Sequence, residues 1–323
     1  MKKILLALIV LIIAFFFLGK APVKDPVWGV TFSLKYSEDL NLDWQETYLA
    51  LINDLKVKRM RVVAYWDLIE TEKGEYDFKD LDWMMGQAEE KGVEVILVVG
   101  MKVPRWPECH LPSWAQDLPQ EEKQEMILEL IEKIVPRYRN SSALIYWQIE
   151  NEPFLDFGHC PWYDEEFFIK QVNLTRELDS KTPILVTESG ELSLWFKGAR
   201  IGDLVGTTMY RRTWWHRAGG FYFKYPIPPV HYYRKAWLID KIFKKEVICV
   251  ELQAEPWGSA PTYVLSLEEQ EESMDIDLFK ENIEYARRTG LSEFYFWGAE
   301  WWYWMKKEHD RPEFWQEAQE LFK

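Results

Sequence analysis

The chain has 323 residues, with 39 Lys and Arg against 53 Asp and Glu, a net charge of −14 with His neutral. Hydrophobic residues make up 48% and charged residues 28%, a globular balance that excludes a disordered, collagenous or coiled-coil chain. The acidic excess argues against a nucleic-acid partner, which needs a basic patch, and three cysteines are too few for a disulfide scaffold. The aromatic content is more telling: 18 Trp, 16 Tyr and 18 Phe, or 16% of the chain. Each Trp must place an indole N–H as well as a ring, so a core alone rarely calls for so many. They suggest flat apolar platforms that stack on sugar rings; a large core with aromatic ballast is the plainer reading.

In chain order, Lys2 and Lys3 precede an unbroken apolar run from Ile4 to Leu18, closed by Gly19-Lys20. A charged start followed by such a run reads as an export signal. The run is short for a membrane span, and no small-x-small cleavage site follows it. Residues 1–20 therefore read equally as a cleaved signal peptide or as an uncleaved anchor, with residues 4–18 as a candidate membrane tether. Either reading puts the working part of the chain outside the cytoplasm, secreted or held on the outer face of the cytoplasmic membrane. Residues 21–27, with Pro22 and Pro26, read as a linker, and 28–323 as one catalytic domain.

From Trp28 onward, short β-rich runs alternate with amphipathic stretches. The predicted strands are Trp28–Ser33, Met60–Tyr65, Val93–Val99, Leu144–Ile149, Ile184–Thr187, Leu204–Met209, Val247–Glu251 and Glu293–Trp297. Several are near-continuous apolar runs, as strands covered on both faces by helices must be. Asp43 is placed to cap a helix over 44–56, Pro119 to open one over 120–135, and Ser266 precedes one over 268–289. This alternation, with no break in composition, predicts an α/β fold: a single (β/α)₈ barrel preceded by the apolar segment. A doubly wound open sheet is the alternative, but no glycine-rich phosphate turn follows the first strand.

In such a barrel the working residues stand at the C-terminal ends of the strands. The fourth strand ends Gln148-Ile149-Glu150-Asn151-Glu152-Pro153, and the seventh ends at Glu251, with Glu255-Pro256-Trp257 in the loop beyond. Strands four and seven lie on opposite sides of the mouth, so Glu152 and Glu251 can face each other. Two facing carboxyls can split a glycosidic bond, and a separation of about 5 Å specifies the retaining route. A lone Glu is more simply a solvated loop acid; the pair changes that.

Asn151-Glu152-Pro153 and Glu251 resemble clan A of the glycoside hydrolases, whose (β/α)₈ members include β-galactosidases, cellulases, mannanases and xylanases. Residues 59–83, including Arg61, Trp66, Gly74-Glu75-Tyr76-Asp77-Phe78 and Leu81-Asp82-Trp83, are similar to the second-strand region of the β-galactosidase-type members. The resemblance covers most of 28–310. It implies a retaining enzyme cleaving β-glycosidic bonds in oligo- or polysaccharides without a cofactor, Glu152 as acid/base and Glu251 as nucleophile. It further implies that Arg61 holds the nucleophile carboxylate, that Tyr210 donates to it, that Asn151 binds the sugar 2-hydroxyl, and that Trp297 floors the sugar. A structural pair of Arg61 with Glu150 is the plainer reading of that arginine, because a buried guanidinium needs a carboxylate.

Glu188 and Glu300 are further candidate sugar ligands, and Glu255 is a rival to Glu251, set aside because it already lies in loop. Trp66, Trp106, Trp114, Trp162, Trp214 and Trp257 fall in mouth-side loops as candidates to line sugar subsites, with about half expected only to pack. Cys109 and Cys160 follow strands three and four, and export permits oxidation, so a disulfide is the first reading, ahead of free thiols or a zinc site with His110 and His159. No metal is called for, and Cys249 is a buried small residue. Two other functions remain open at this point: a non-catalytic carbohydrate-binding barrel and a transglycosylase using the same residues.

Overall fold

The computed structural model describes residues 2–216 and 219–323. Eight parallel strands close into a barrel in sequential order: β1 (Val27–Phe32), β2 (Arg59–Val63), β3 (Glu94–Val99), β4 (Leu144–Ile149), β5 (Ile184–Glu188), β6 (Leu204–Met209), β7 (Val247–Gln253) and β8 (Glu293–Trp297). β8 pairs back onto β1, with Trp28 opposite Phe294 and Thr31 opposite Trp297. Closure leaves no free edge, and the alternating helices cover the outside. Ile96, Leu185, Leu204, Ile248, Val250 and Tyr295 form a small cluster apart from the main one that joins strands to helices, as the inner layers of a barrel do.

Local signals explain the element ends. The Asp43 carboxylate accepts from Glu46 N–H at 2.9 Å and starts the helix Trp44–Asn53. Pro119 precedes the helix Gln120–Tyr138. The single helix expected over 268–289 is two: Leu267–Glu271, then Ile276–Arg287. The break has a cause, since Asp275 is a second N-cap that accepts from Leu278 N–H at 2.7 Å. Buried Ser273, between the two helices, accepts from the Trp257 N–H at 3.0 Å and ties the break to the loop after β7. An antiparallel hairpin, Arg212–Trp215 with Phe221–Lys224, follows β6 and was not expected; residues 217 and 218 lie outside the described residues.

Lys2–Phe17 forms an apolar helix of 16 residues, while Met1 of the predicted 1–20 segment lies outside the described residues. Its end packs on the helix Pro229–Phe243: Phe15 lies 5.9 Å from Trp237, and Phe16 lies 5.6 Å from His231. Ile4, Leu11 and Ile13 stay exposed. Among the described residues no helix is long and apolar enough to cross a membrane.

Candidate active site

The β2 strand points Arg61 into the barrel, where it is fully buried. Its guanidinium donates to Glu251 Oε1 at 2.8 Å, to Gln148 Oε1 at 2.8 Å and to Asn151 Oδ1 at 2.8 Å. The ion partner of Arg61 is thus Glu251 and not Glu150. Tyr210, just past β6, donates its hydroxyl to the other oxygen, Glu251 Oε2, at 2.8 Å. Burial first, and then the charge of Glu251, hold the Tyr210 hydroxyl well above its ordinary pKa, so it remains a donor. One carboxylate accepting from two donors, one of them cationic, has the bonding of an anion.

Glu152 sits in the opposite environment. Its backbone N–H donates to Thr187 Oγ1 at 2.8 Å, and Thr208 Oγ1 reaches its carboxyl at 3.4 Å. Burial, and next the charge of Glu251, push Glu152 well above the usual carboxylate range. Glu150 and Glu152 both hold left-handed backbone, φ 56° and 44°, a conformation costly for residues with a Cβ. That turn separates the two acids. Glu150 is turned away to accept from Met101 N–H at 3.1 Å and Lys102 N–H at 2.5 Å. Burial raises its pKa to about 7.

The remaining predicted residues divide. Asn151 is fixed between Arg61 and Glu108, donating to Glu108 Oε2 at 3.1 Å. Trp297 ends β8 with the Arg105 guanidinium 4.1 Å from its ring, and Trp257 stands edge-on to Tyr210 at 4.7 Å. Glu300 is buried, accepts from Ser33 N–H at 2.6 Å and faces Arg105; burial raises its pKa to about 7. Glu255 pairs with the same Arg105. Its close packing needs Gly298, at φ 118°, where a Cβ would fall 2.4 Å from the Glu255 Cβ. Glu188 accepts from Ser193 Oγ and from Gly198 N–H at 2.5 Å, and it lines a pocket together with Glu152. Trp66 is also a correction: it is fully buried, donates to Glu70 at 2.7 Å and packs against Trp114, so it fills the loop and lines no subsite. Trp106 is exposed, Trp162 packs on the core, and Trp214 stands edge-on to Tyr222 in the hairpin. Cys109 and Cys160 are joined in a disulfide, and Cys249 is free and buried. Among the described residues no cluster of His, Cys, Asp and Glu could hold a metal ion.

Sequence reading missed Lys102, Arg105 and Glu108, all in the loop after β3. Lys102 Nζ donates to the carbonyls of Glu152 at 3.0 Å and Leu155 at 2.6 Å. Arg105 lies between the rings of Tyr36 and Trp297, at 3.7 and 4.1 Å. Glu108 is pushed up to about 8 by burial and then by the charge of Glu251. The available signal was their place: charged residues among prolines, beyond the C-terminal end of a barrel strand.

A family model described as β-galactosidase, glycoside hydrolase 42, matches residues 41–182, which include Arg61 and Glu152 but not Glu251. The β-galactosidase BgaA of Clostridium cellulovorans is 28% identical over 182 residues, half of this chain but only 27% of that protein. Over residues 41–182 the chain is thus similar to β-galactosidases of glycoside hydrolase family 42. Solved structures bear out the fold: the cold-adapted β-galactosidase of Rahnella sp. R3 superposes with a TM-score of 0.60 at 13% identity, covering 94% of this chain and 57% of that one. The xylanase 10B of Thermotoga petrophila RKU-1, solved with xylobiose, gives 0.54 at 16% identity, covering 85% of this chain and 82% of that one. Both share the fold with this chain; neither, at such identity, speaks to its substrate.

Proposed function

We propose that the chain is a retaining glycosidase acting on β-glycosidic bonds by double displacement, with Glu152 as acid/base and Glu251 as nucleophile. The observation that carries this reading is the contrast between the two acids: Glu251 accepts from Arg61 and Tyr210, while burial and the charge of Glu251 push Glu152 well above the usual carboxylate range. In the first step Glu251 bonds to C1 as the C1–O bond breaks, and Glu152 gives its proton to the departing oxygen. The ester removes the charge on Glu251, which lowers the pKa of Glu152 and lets it act as base. Water then attacks C1, Glu152 takes its proton, and Glu251 leaves as the carboxylate. Asn151 is oriented by Arg61 to meet the sugar 2-hydroxyl, and Trp297 offers the apolar face. A carbohydrate substrate is supported by the match of residues 41–182 to the β-galactosidase family model.

The proposal extends to location: export, with residues 4–18 as signal or tether. The charged start and apolar run support it, as does the Cys109–Cys160 disulfide, which suits an oxidising compartment. Cell fractionation tests it; recovery of the chain with cytoplasmic markers overturns it. The activity test is a panel of aryl β-glycosides and β-linked oligosaccharides with product analysis. Glu152→Gln should slow substrates with poor leaving groups most, because those need the proton. Glu251→Gln should abolish turnover of all. Equal residual activity in the two variants refutes the assignment, and binding without turnover by the native chain points to a carbohydrate-binding barrel instead.

A further inference from the structure

A pocket of about 360 Å³ opens from Glu152 along the loops after β4 and β5, within the span of about 300–1,000 Å³ common to small-molecule sites. Glu251, Tyr210 and Trp297 stand outside it. Because Glu152 gives its proton to the departing oxygen, a groove that starts at Glu152 and omits the nucleophile belongs to the leaving group. This step rests on the proposed roles of the two acids.

The groove offers little to a second sugar. Its polar side chains are already engaged: Glu188 by Ser193 and Gly198 N–H, and Lys197 by Glu165 at 2.6 Å. Ser189 Oγ accepts from Leu192 N–H at 3.3 Å. A sugar entering here would leave hydroxyls without the partners they had in water, which is unfavourable for each buried one. The rest of its lining is apolar: Phe154, Leu155, Leu192, Leu194 and Phe196, with Phe154 also edge-on to Phe168. Leu192 and Leu194 are 73% and 54% exposed, on the rim of the groove. Phe196 also lies 5.9 Å from Phe243, on the helix whose Trp237 receives Phe15 of the apolar N-terminal helix. The groove and that helix share one flank of the barrel.

We propose that this groove selects an apolar leaving group, so that the substrate is the β-glycoside of an alkyl alcohol, as at the head of a glycolipid, rather than of a second sugar. The C1–O bond to the alkyl oxygen breaks, that oxygen takes the Glu152 proton, and the alcohol departs along the leucines before water enters.

The test uses the full chain and the sugar that the aryl panel selects. The value of kcat/KM is measured for its methyl, butyl, hexyl and octyl β-glycosides, below micelle formation, and for its β-linked disaccharide. Full burial of a methylene supplies about four-fold, and a half-open groove should return about two-fold each, or on the order of 100-fold from methyl to octyl. Leu192→Asp with Leu194→Asp should cut the octyl-to-methyl ratio below about ten-fold. That ratio is taken within each variant, so a change in the amount of folded protein cancels. A flat series in the native chain, or a disaccharide preferred to the octyl glycoside, overturns the inference while leaving the glycosidase reading intact. Failure to hydrolyse any glycoside overturns both.

Discussion

Replacing Arg61 by Met isolates the most committed interaction in the molecule. Arg61 and Glu251 meet at 2.8 Å with side chains 0% and 4% exposed, so solvent screens the pair little. Removing the guanidinium leaves a buried carboxylate with Tyr210 as its hydrogen-bond donor, and it strips Gln148 Oε1 and Asn151 Oδ1 of their 2.8 Å donors. Breaking a buried pair costs about 3–5 kcal/mol, a large part of the roughly 5–15 kcal/mol that stabilises a domain. In Arg61→Met with Glu251→Gln neither charge is left uncompensated, so the double variant should be more stable than the sum of the single losses. The expected coupling is about 3 kcal/mol, well outside the roughly 0.5 kcal/mol scatter of independent sites. Urea unfolding of all four proteins at neutral pH, followed by tryptophan fluorescence, measures it. Additivity within that scatter would show that the two side chains do not depend on each other and would refute the reasoning.

Because Glu152 is raised by burial and by Glu251, its protonated form persists toward neutral pH, and kcat/KM should fall as pH rises through its pKa. Glu108, raised to about 8, titrates nearby. The alkaline limb should therefore survive Glu108→Gln and vanish in Glu152→Gln on an activated aryl substrate; the reverse result would move the acid role to Glu108. Thiol titration of the denatured, non-reduced protein should find one free cysteine, Cys249, and a count of three would remove the Cys109–Cys160 bond.

The barrel was legible because strands buried on both faces must be continuous apolar runs, as in 93–99, and because caps such as Asp43 mark where helices begin. Strands four, seven and eight were read to within two residues. The meeting of Arg61 and Tyr210 on Glu251 was expected from the resemblance to clan A, and it is realised at strand ends that the barrel fixes in space. The loop after β3 was not legible in this way. Arg105 and Glu108 adopt left-handed backbone, φ 84° and 73°, which is uncommon for such residues and has no propensity signal. The conformation is imposed by the fold around them, as is their placement beside Trp297 and Asn151. Trp66 shows the same limit from the other side. Its position in a mouth-side loop was legible, but whether the ring faces substrate or Trp114 depends on packing.

The central claim is that Glu251 carries the sugar, and trapping the intermediate tests it most directly. A 2-deoxy-2-fluoro β-glycoside with an activated leaving group forms the ester but hydrolyses it slowly, since fluorine destabilises the oxocarbenium-like transition state of both steps. After proteolysis, mass spectrometry should find one added glycosyl group on the peptide containing Glu251, mapped to that side chain, and none in Glu251→Gln. A label on Glu255, Glu150 or Glu188, or turnover with inversion and no ester, would contradict the account.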